Sequence, residues 1–481
     1  MVASLSSPRV PRALWFAIPV VVLAAILARA APTLGAVPAV GSANKAKLLC
    51  SAVLAAGRSP EEVAAAEVGA PLVAPVAVEL DREAALVRGS LLWARETVVH
   101  RPGLGCTRAV GTDPEALRRQ VPPGTVPPAP DLSGLPWPTG DRIDPTALPP
   151  LDRAALDAAV ARAFAEPDPA EPVRHTRAVA VVWRGALVAE RYAEGFDATT
   201  PLLGWSMTKS LTNALVGLRV GDGALDLHAP APVPEWRAPD DPRGAITPDQ
   251  LLRMSSGLAF GEVYDDLSSD AVTMLFGDGG QDMGAYAAAK PLAASPDTRW
   301  SYSSGTTNLI QRMLRGTFPD HAAYLRYPHE RLFHRIGMTR SWIEPDASGT
   351  YVGSSFGYGT ARDWARFGLL FLNDGVWEGE RLLPEGWVRY STTPTPAAPE
   401  GRYGAHWWLN AGEPDAPEQR PWPRLPPDAY RASGFEGQSV MIVPSRELVV
   451  VRLGWTVDEA AFRIDDFVAE LIGVLEAGPT G

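Results

Sequence analysis

A proline-rich segment restricts the fold of this chain more than any other feature of its sequence. Residues 121–150 read VPPGTVPPAPDLSGLPWPTGDRIDPTALPP, and prolines at this density exclude both a regular helix and a central strand. The segment is therefore either a linker or an extended stretch that lies over a domain surface. It separates an accessory region, residues 32–120, from a larger domain that spans residues 151–478.

The composition is that of a folded chain, and it argues against several functions. The 481 residues are 46% hydrophobic and 21% charged, which is enough apolar matter for a sizeable core. With 44 basic against 55 acidic residues and no run of lysines or arginines, we expect no nucleic-acid partner. The seven histidines are scattered and the two cysteines lack C-x-x-C spacing, so we also expect no metal and no cofactor.

The N-terminal segment is typical of an exported protein. Residues 13–28 form one apolar run with arginines on both sides. As a helix this run is about 24 Å long, which is short for a membrane span but long for the core of a signal peptide. We expect residues 1–12 in the cytoplasm, residues 13–31 as a membrane anchor, and the rest of the chain outside the cytoplasm. Cleavage near Ala30, which releases a secreted or periplasmic protein, is the alternative.

The accessory region contains both cysteines, Cys50 and Cys106. Export would place them in an oxidising compartment, where they can pair. A disulfide between them would contribute on the order of 4 kcal/mol through the entropy of loop closure, and two unpaired buried thiols are the alternative. The residue pattern of this region predicts one helix around residues 45–57 and another within 82–97.

The domain 151–478 has strand patterns at both ends and a helix-rich middle. Two short strands at 177–184 and 187–192 predict a hairpin, and residues 439–455 predict a second one, followed by an amphipathic helix. We therefore expect an α/β (α+β) fold in which both ends build one antiparallel sheet. Helices flank this sheet, and a largely helical lobe fills the middle.

A Ser-x-x-Lys pattern stands at the start of the helix predicted after Gly204. Ser206 and Lys209 are three residues apart and therefore share one helical face. A serine hydroxyl becomes a good nucleophile when a neighbouring neutral lysine takes its proton, and burial favours the neutral amine. Ser42 and Lys45 repeat the spacing, but we interpret that copy as chance because no substrate-forming domain surrounds it.

Two further motifs follow along the chain. Tyr302-Ser303-Ser304 supplies a phenol, which beside a lysine serves as a general acid or base. The segment from Ser433 to Gln438 contains two glycines and enters a predicted strand. A strand edge with glycine lets a substrate approach the backbone and supplies an N–H group for an oxyanion.

In this order the three motifs resemble those of the serine β-lactamase and penicillin-binding protein family. The similarity is to the branch of class C β-lactamases, esterases and 6-aminohexanoate-dimer hydrolases. It covers roughly residues 170–475 and includes TPDQLLRMSSGLAF at 247–260 and ARDWARFGLLFLNDGVWEGERLLPEGWV at 361–388.

The resemblance implies a β-lactamase/transpeptidase-like fold and an acyl-enzyme mechanism. Ser206 is then the acylated nucleophile, with Lys209 and Tyr302 as general bases. The oxyanion hole is formed by the N–H groups of Ser206 and Phe435.

Two departures from the family pattern bear on the substrate. Ser304 replaces the asparagine of Tyr-x-Asn, and Ala432 replaces the lysine of Lys-Thr-Gly, while Ser433 and Gly434 match its other positions. The resemblance implies that Ser304, Ser433 and Gly434 bind substrate without the usual cation for a substrate carboxylate. Arg431 replaces that cation only if its side chain faces the site, which the sequence leaves open. Since a buried unpaired carboxylate is costly, we expect a small neutral ester or amide rather than a β-lactam.

Other features leave alternatives open. Tyr403 and His406 are candidate substrate contacts, and the acidic loop 261–285 either covers the site or is simply solvated. Ser355 lies in a G-x-S-x-G pattern and, with His406, would suit an α/β-hydrolase-type esterase. A non-catalytic envelope protein that keeps the fold and binds cell-wall or lipid ligands is the third possibility.

Overall fold

The computed structural model describes residues 35–69, 73–413, 415–416 and 418–478. The expected cytoplasmic segment 1–12 and the expected anchor 13–31 lie outside the described residues. Within the described ranges, no helix is both long enough and apolar enough to cross a membrane.

The secondary structure alternates short strands with helices of one to four turns. The strands are β1 (Ala77–Asp81), β2 (Leu86–Leu91), β3 (Ala94–Arg101), β4 (Gly105–Arg108), β5 (Thr176–Trp183), β6 (Ala186–Tyr192), β7 (Leu202–Leu203), β8 (Trp342–Ile343), β9 (Gly357–Gly359), β10 (Val376–Trp377), β11 (Glu380–Arg381), β12 (Trp408–Leu409), β13 (Tyr430–Gly434), β14 (Gln438–Val443) and β15 (Leu448–Gly454). The α-helices are α1 (35–49), α2 (Pro60–Ala66), α3 (Pro114–Arg119), α4 (Arg153–Arg162), α5 (Thr208–Gly221), α6 (Pro248–Leu252), α7 (Asp270–Phe276), α8 (Met283–Ala288), α9 (Ser304–Arg315), α10 (His321–Pro328), α11 (Ala361–Leu372), α12 (Trp387–Ser391) and α13 (Ile464–Ala477).

The central sheet has six strands in the order β12-β13-β14-β15-β5-β6, and its neighbouring strands run antiparallel. Strand β15, near the C-terminus, pairs with β5, near the start of the domain, so that Val450 lies opposite Val181. The two ends of the domain therefore share one sheet. This confirms the predicted α/β fold with an antiparallel sheet and flanking helices.

Alternate residues of the sheet pack against different helices. Val181 and Val450 belong to a buried cluster that includes side chains of α4 and α13. Ala180 and Val451 belong to the cluster on the other face, which includes α11 and extends into the helical lobe between β7 and β8. Because side chains alternate along a strand, both faces of the sheet are covered, and the residues at its centre, from Val179 to Val182 and from Val449 to Val451, are all apolar.

The accessory region forms a separate antiparallel sheet in the order β1-β2-β3-β4. The prediction of a helix within 82–97 is wrong, since these residues form most of the β2–β3 hairpin. These residues form a strand because β2 packs closely against α1. A Cβ at Gly89 would lie 2.5 Å from the carbonyl oxygen of Ser42, so glycine permits this approach. That contact spans distant parts of the chain and leaves no local helical or strand signal.

The helix predicted around 45–57 is present as α1 and the π-helical turn Cys50–Ala55 that continues it. Cys50 and Cys106 are joined by a disulfide, with their Cα atoms 6.0 Å apart. The bond links the end of α1 to β4. Both cysteines are fully buried.

The accessory region also shares a core with the larger domain. Many of its buried apolar side chains form one cluster with Trp205, Phe356 and Trp455. At this contact the ammonium group of Lys47 forms a buried ion pair with Glu344. The structure therefore places the accessory region directly behind the segment that carries Ser206.

The proline-rich segment lies over the surface of the larger domain, which is the second of the two expected alternatives. Arg366, on α11, donates hydrogen bonds to the carbonyl oxygens of Pro138 at 2.8 Å and Gly140 at 2.7 Å. It also contacts the carboxylate of Asp141 at 2.8 Å. Since prolines cannot supply strand N–H groups, side chains of the domain hold this segment through its carbonyl oxygens.

Candidate active site

Ser206 lies in a 3₁₀ turn, Trp205–Met207, that leads directly into α5. Thr208 holds this turn in place. Its hydroxyl donates to the carbonyl oxygen of Trp205 at 2.6 Å and accepts from the N–H of Gly357 at 2.8 Å. The start of α5 is therefore tied to β9, and Ser206 remains only half-buried.

Two non-glycine residues with positive φ flank the expected oxyanion hole. Trp205 precedes Ser206 at φ 46°, and Glu436 follows Phe435 at φ 60°. Such backbone conformations are unfavourable for side chains of this size and are concentrated at functional sites. They turn the backbone immediately beside Ser206 and Phe435. The family resemblance assigns the N–H groups of these two residues to the oxyanion hole.

Strand β13 ends against the segment that carries the nucleophile. A Cβ at Gly434 would lie 2.1 Å from the carbonyl oxygen of Gly204, so only glycine permits this approach. One residue further on, the ring of Phe435 lies edge-on to Trp205, with ring centroids 5.9 Å apart. Ser433 and Gly434 are therefore the last strand residues before Phe435 and lie beside the start of α5.

Lys209 is buried and contacts three oxygens. Its Nζ lies 3.0 Å from Ser206 Oγ, 3.0 Å from Ser304 Oγ and 3.1 Å from the carbonyl oxygen of Ser354. Its side chain is 1% exposed. The structure thus brings together the two residues of the Ser-x-x-Lys pattern and adds Ser304 from the start of α9.

Burial favours the neutral forms of both Lys209 and Tyr302. Burial lowers the pKa of Lys209 to about 8, although the nearby Glu262 carboxylate partly opposes this shift. Burial raises the pKa of Tyr302 above its ordinary value, while a hydrogen bond with Ser206 opposes the rise. The ammonium nitrogen of Lys209 lies 4.7 Å from the centroid of the Tyr302 ring. Lys209 is therefore the more readily deprotonated of the two groups, and Tyr302 is a neutral phenol.

Glu262 is a site residue that sequence reasoning missed. It accepts hydrogen bonds from the hydroxyl of Ser304 at 2.5 Å and from the N–H of Ser304 at 2.8 Å. The hydroxyl of Tyr264 donates to the same carboxylate at 2.6 Å. Glu262 and Ser304 are 42 residues apart, so no local spacing marks the pair.

The rim of the site is apolar and partly exposed. Tyr264 and Phe435 are 44% and 43% exposed, and their ring centroids are 5.5 Å apart. Tyr264 belongs to the loop 261–285, so this part of the loop reaches the site. Asp265 and Asp266, two acidic residues of the same loop, are exposed.

The structure does not bring His406 or Tyr403 to an open surface of the site. His406 is buried, with Nδ1 3.0 Å from the carbonyl oxygen of Lys209 and Nε2 3.1 Å from Thr307 Oγ1. Burial and the neighbouring Lys209 lower the pKa of His406 to about 3. Tyr403 is 1% exposed and packs against the ring of Tyr302. Both residues therefore support the catalytic groups from behind, which differs from the expected substrate contact.

The α/β-hydrolase interpretation of Ser355 is wrong. Its buried hydroxyl pairs with Ser354 Oγ at 2.8 Å, while both ring nitrogens of His406 are engaged elsewhere. The central sheet is also antiparallel, whereas a nucleophile elbow requires a parallel strand-to-helix unit.

The second Ser-x-x-Lys copy does not form a catalytic pair. The amine of Lys45 donates to the carbonyl oxygens of Ala74 and Val76, and Ser42 is buried. In the described part of the chain, no group of three or more His, Cys, Asp or Glu side chains is placed to hold a metal ion.

Arg431 faces away from the catalytic side of the sheet. It lies opposite Met441 in the register, and its guanidinium lies 4.8 Å from the centroid of the Trp422 ring, on the side of α13. Ala432 lies opposite Val440 and belongs to the buried cluster on the other face. Arg431 therefore does not replace the missing lysine.

Comparisons with known proteins agree with this architecture. The family described as Beta-lactamase matches residues 161–473. Over 350 residues the chain is 27% identical to the 6-aminohexanoate-dimer hydrolase of Paenarthrobacter ureafaciens. The aligned region covers 66% of this chain and 82% of that protein.

Two solved structures show the same fold at low sequence identity. A "Putative 6-aminohexanoate-dimer hydrolase from Bacillus anthracis" is 23% identical with a TM-score of 0.53, covering 64% of this chain and 81% of its own. A "putative beta-lactamase from Bacteroides dorei DSM 17855" is 16% identical with a TM-score of 0.51, covering 67% of this chain and 99% of its own.

The family match includes the start of α5, the Tyr302 segment and the end of β13. It therefore covers all three motifs that resemble those of the family. This chain belongs to the beta-lactamase family and is a serine hydrolase that acts on amides or esters.

Proposed function

We propose that Ser206 is the nucleophile of this hydrolase and that it is acylated by a neutral ester or amide. One observation carries the proposal: the buried amine of Lys209 lies 3.0 Å from Ser206 Oγ. With a pKa of about 8, about a tenth of these amines are neutral at pH 7. A neutral amine in hydrogen-bond contact with a serine hydroxyl is what a general base requires.

Acylation begins when neutral Lys209 takes the proton of Ser206 Oγ as Oγ bonds to the carbonyl carbon. The electron pair of the carbonyl double bond moves onto its oxygen. The N–H groups of Ser206 and Phe435 hold that oxyanion, since both lie where β13 meets the start of α5.

The tetrahedral intermediate then collapses. The C–O or C–N bond to the leaving group breaks, and the leaving group takes the proton of the Tyr302 hydroxyl. Protonated Lys209 returns a proton to Tyr302. Water attacks the acyl-enzyme by the same sequence of transfers, which releases the acid and restores the hydroxyl of Ser206.

The preference for a neutral substrate rests on the side chains of β13. Ala432 occupies the position of the family lysine, and Arg431 contacts Trp422 on the opposite face of the sheet. A substrate carboxylate would therefore be desolvated at β13 without an arginine or lysine of this strand to pair with it.

Covalent labelling tests the assignment of the nucleophile. Protein lacking residues 1–31 is treated with a fluorophosphonate probe and assayed with a nitrophenyl ester. We expect the label on Ser206, loss of labelling and hydrolysis in Ser206→Ala, and a severe loss of hydrolysis in Tyr302→Phe. Ser355→Ala is the control and keeps wild-type hydrolysis. Labelling at Ser355, or no labelling at all, would contradict the proposal.

We further propose that the protein is exported and held at the membrane through residues 13–31. The arginine-flanked apolar run supports this, and so does the Cys50–Cys106 disulfide, because such bonds persist in oxidising compartments. Membrane fractionation followed by N-terminal sequencing is the test. An intact N-terminus in the membrane fraction supports an anchor, a mature N-terminus near Ala30 supports a cleaved signal peptide, and recovery in the cytoplasm contradicts export.

A further inference from the structure

Ser304 is the middle member of a hydrogen-bonded chain that runs from the nucleophile to Glu262. Ser206 Oγ contacts Lys209 Nζ at 3.0 Å, and Lys209 Nζ contacts Ser304 Oγ at 3.0 Å. Ser304 Oγ in turn contacts Glu262 Oε1 at 2.5 Å. Lys209 and Ser304 are each 1% exposed, so water does not compete for these contacts.

The hydrogens along this chain can be counted. A serine hydroxyl has one hydrogen, and Ser304 donates it to the Glu262 carboxylate, which only accepts. Toward Lys209, Ser304 Oγ can therefore only accept. The carbonyl oxygen of Ser354, the other neighbour of the amine at 3.1 Å, also only accepts.

This count fixes the orientation of the amine. Neutral Lys209 has two N–H hydrogens and one lone pair. The two hydrogens are used by Ser304 and Ser354, so the lone pair is left for the hydroxyl hydrogen of Ser206. A general base must present its lone pair in just this direction.

We propose that Glu262 is a positioning residue: by holding the hydroxyl hydrogen of Ser304, it directs the lone pair of Lys209 to Ser206. The inference rests on the proposed function, in which Ser206 is the nucleophile and Lys209 its base. The carboxylate is itself held by Tyr264 and by the backbone N–H of Ser304. Glu262 thus acts through Ser304 and does not touch the substrate.

Replacement of the carboxylate by an amide disrupts this arrangement in either orientation. Glu262 accepts from both the N–H and the hydroxyl of Ser304. In Glu262→Gln, the amide NH₂ would face one of these two donors. If it faces the N–H, two donors clash; if it faces the hydroxyl, Ser304 becomes free to donate toward Lys209.

The experiment compares kcat for a neutral nitrophenyl ester among matched variants. We expect Glu262→Gln and Ser304→Ala each to lower kcat by about tenfold or more, while KM changes by less than about threefold. The double variant should be no slower than Ser304→Ala, because Glu262 orients the Lys209 amine through that hydroxyl, and loss of its charge only lowers the pKa of the amine. Asp266→Asn removes the same charge from an exposed position of the same loop and is the control with unchanged kcat.

The pH profile provides a readout that a purely structural role would not change. The Glu262 carboxylate raises the pKa of Lys209, so its removal should move the acid limb of kcat/KM to lower pH.

Unchanged kcat in Glu262→Gln, or an equal further loss when this substitution is added to Ser304→Ala, would overturn the proposal. If Glu262→Gln does not fold, Ser304→Ala decides alone, since wild-type kcat in that variant contradicts the hydrogen count. Ser206→Ala separates the two proposals, because retained hydrolysis there contradicts the nucleophile assignment whatever Glu262 does.

Discussion

At the scale of single residues, the proposed mechanism depends on the protonation of one buried lysine. Lys209 is surrounded by hydroxyl and carbonyl oxygens and is kept from water, so its neutral form is accessible near neutral pH. In contrast, burial holds Tyr302 in its neutral form, which suits proton transfer to a leaving group. In the proposed mechanism, the two groups therefore divide the acid and base roles between them.

The first prediction concerns pH. Because the active base is the neutral amine, and the neutral fraction grows as pH rises through a pKa of about 8, kcat/KM should increase with a midpoint near that pH. Below the midpoint it should fall about tenfold per pH unit. Lys209→Ala should lose several orders of magnitude of activity and this pH dependence. A flat profile between pH 6 and pH 9, or more than about a tenth of wild-type activity in Lys209→Ala, would contradict the assignment of the base.

The second prediction concerns substrate charge. We expect kcat/KM for a neutral short-chain ester or amide to exceed that for a β-lactam by about a hundredfold, or roughly 2.7 kcal/mol. Ala432→Lys should narrow this gap by improving the substrate that bears a carboxylate, since the new side chain projects from the catalytic face of β13. Ala432→Met adds similar length without charge and serves as the control. Efficient turnover of a penicillin or cephalosporin by the unmodified enzyme would contradict the argument.

At the scale of elements, one threonine links the start of α5 to β9. Thr208 is fully buried and joins the turn that carries Ser206 to β9 through its single hydroxyl. A helix start held in this way does not depend on a side-chain cap, and none is formed at Met207. The position of the nucleophile therefore depends on a contact between two elements.

The third prediction tests that contact. Thr208→Val keeps the shape of the side chain but leaves the buried N–H of Gly357 without an acceptor. We expect the free energy of unfolding to fall by about 1–3 kcal/mol, measured by urea denaturation, together with a loss of kcat. Thr208→Ser keeps the hydroxyl and should retain most of both. An equal loss in the serine variant would show that the methyl group, rather than the hydrogen bonds, matters here.

At the scale of the whole molecule, the accessory region is part of the same core as the hydrolase. Lys47, on α1, is 2% exposed and pairs with the fully buried Glu344, which also accepts a hydrogen bond from the N–H of Cys106 at 2.7 Å. The apolar cluster that the two regions share includes Trp205, the residue before Ser206. The described residues of the accessory region therefore pack behind the segment that carries Ser206.

The fourth prediction uses the buried ion pair. Lys47→Met leaves Glu344 buried without its cation, and we expect a loss of about 3–5 kcal/mol in the free energy of unfolding. Adding Glu344→Gln removes the unpaired charge while its amide oxygen still accepts from Cys106, so the double variant should recover much of that loss. Denaturant unfolding of the three proteins measures both effects. A double variant less stable than Lys47→Met would contradict the interpretation.

Local strand and helix patterns predicted the fold class, and three short motifs with their family resemblance predicted the type of chemistry. Strand alternation near both ends of the domain predicted one antiparallel sheet, and this is confirmed by the pairing of β15 with β5. The three-residue spacing of Ser206 and Lys209 places them on one helical face wherever the helix lies. The beta-lactamase family match confirms the resemblance, while the individual catalytic roles stay predictions.

The rest was decided by tertiary contacts. Glu262 and Ser304 are 42 residues apart, and Lys47 and Glu344 are 297 residues apart. A local sequence pattern therefore cannot predict either pair. The side of the sheet that Arg431 faces depended on the register of β13, which its own residues do not reveal. The sequence by itself determined which residues carry reactive groups and which of them share a helix or strand face, because backbone geometry sets those relations locally. Only the tertiary structure decided which distant groups surround and orient Lys209. Packing of the core brings the loop after α6 and the start of α9 against α5.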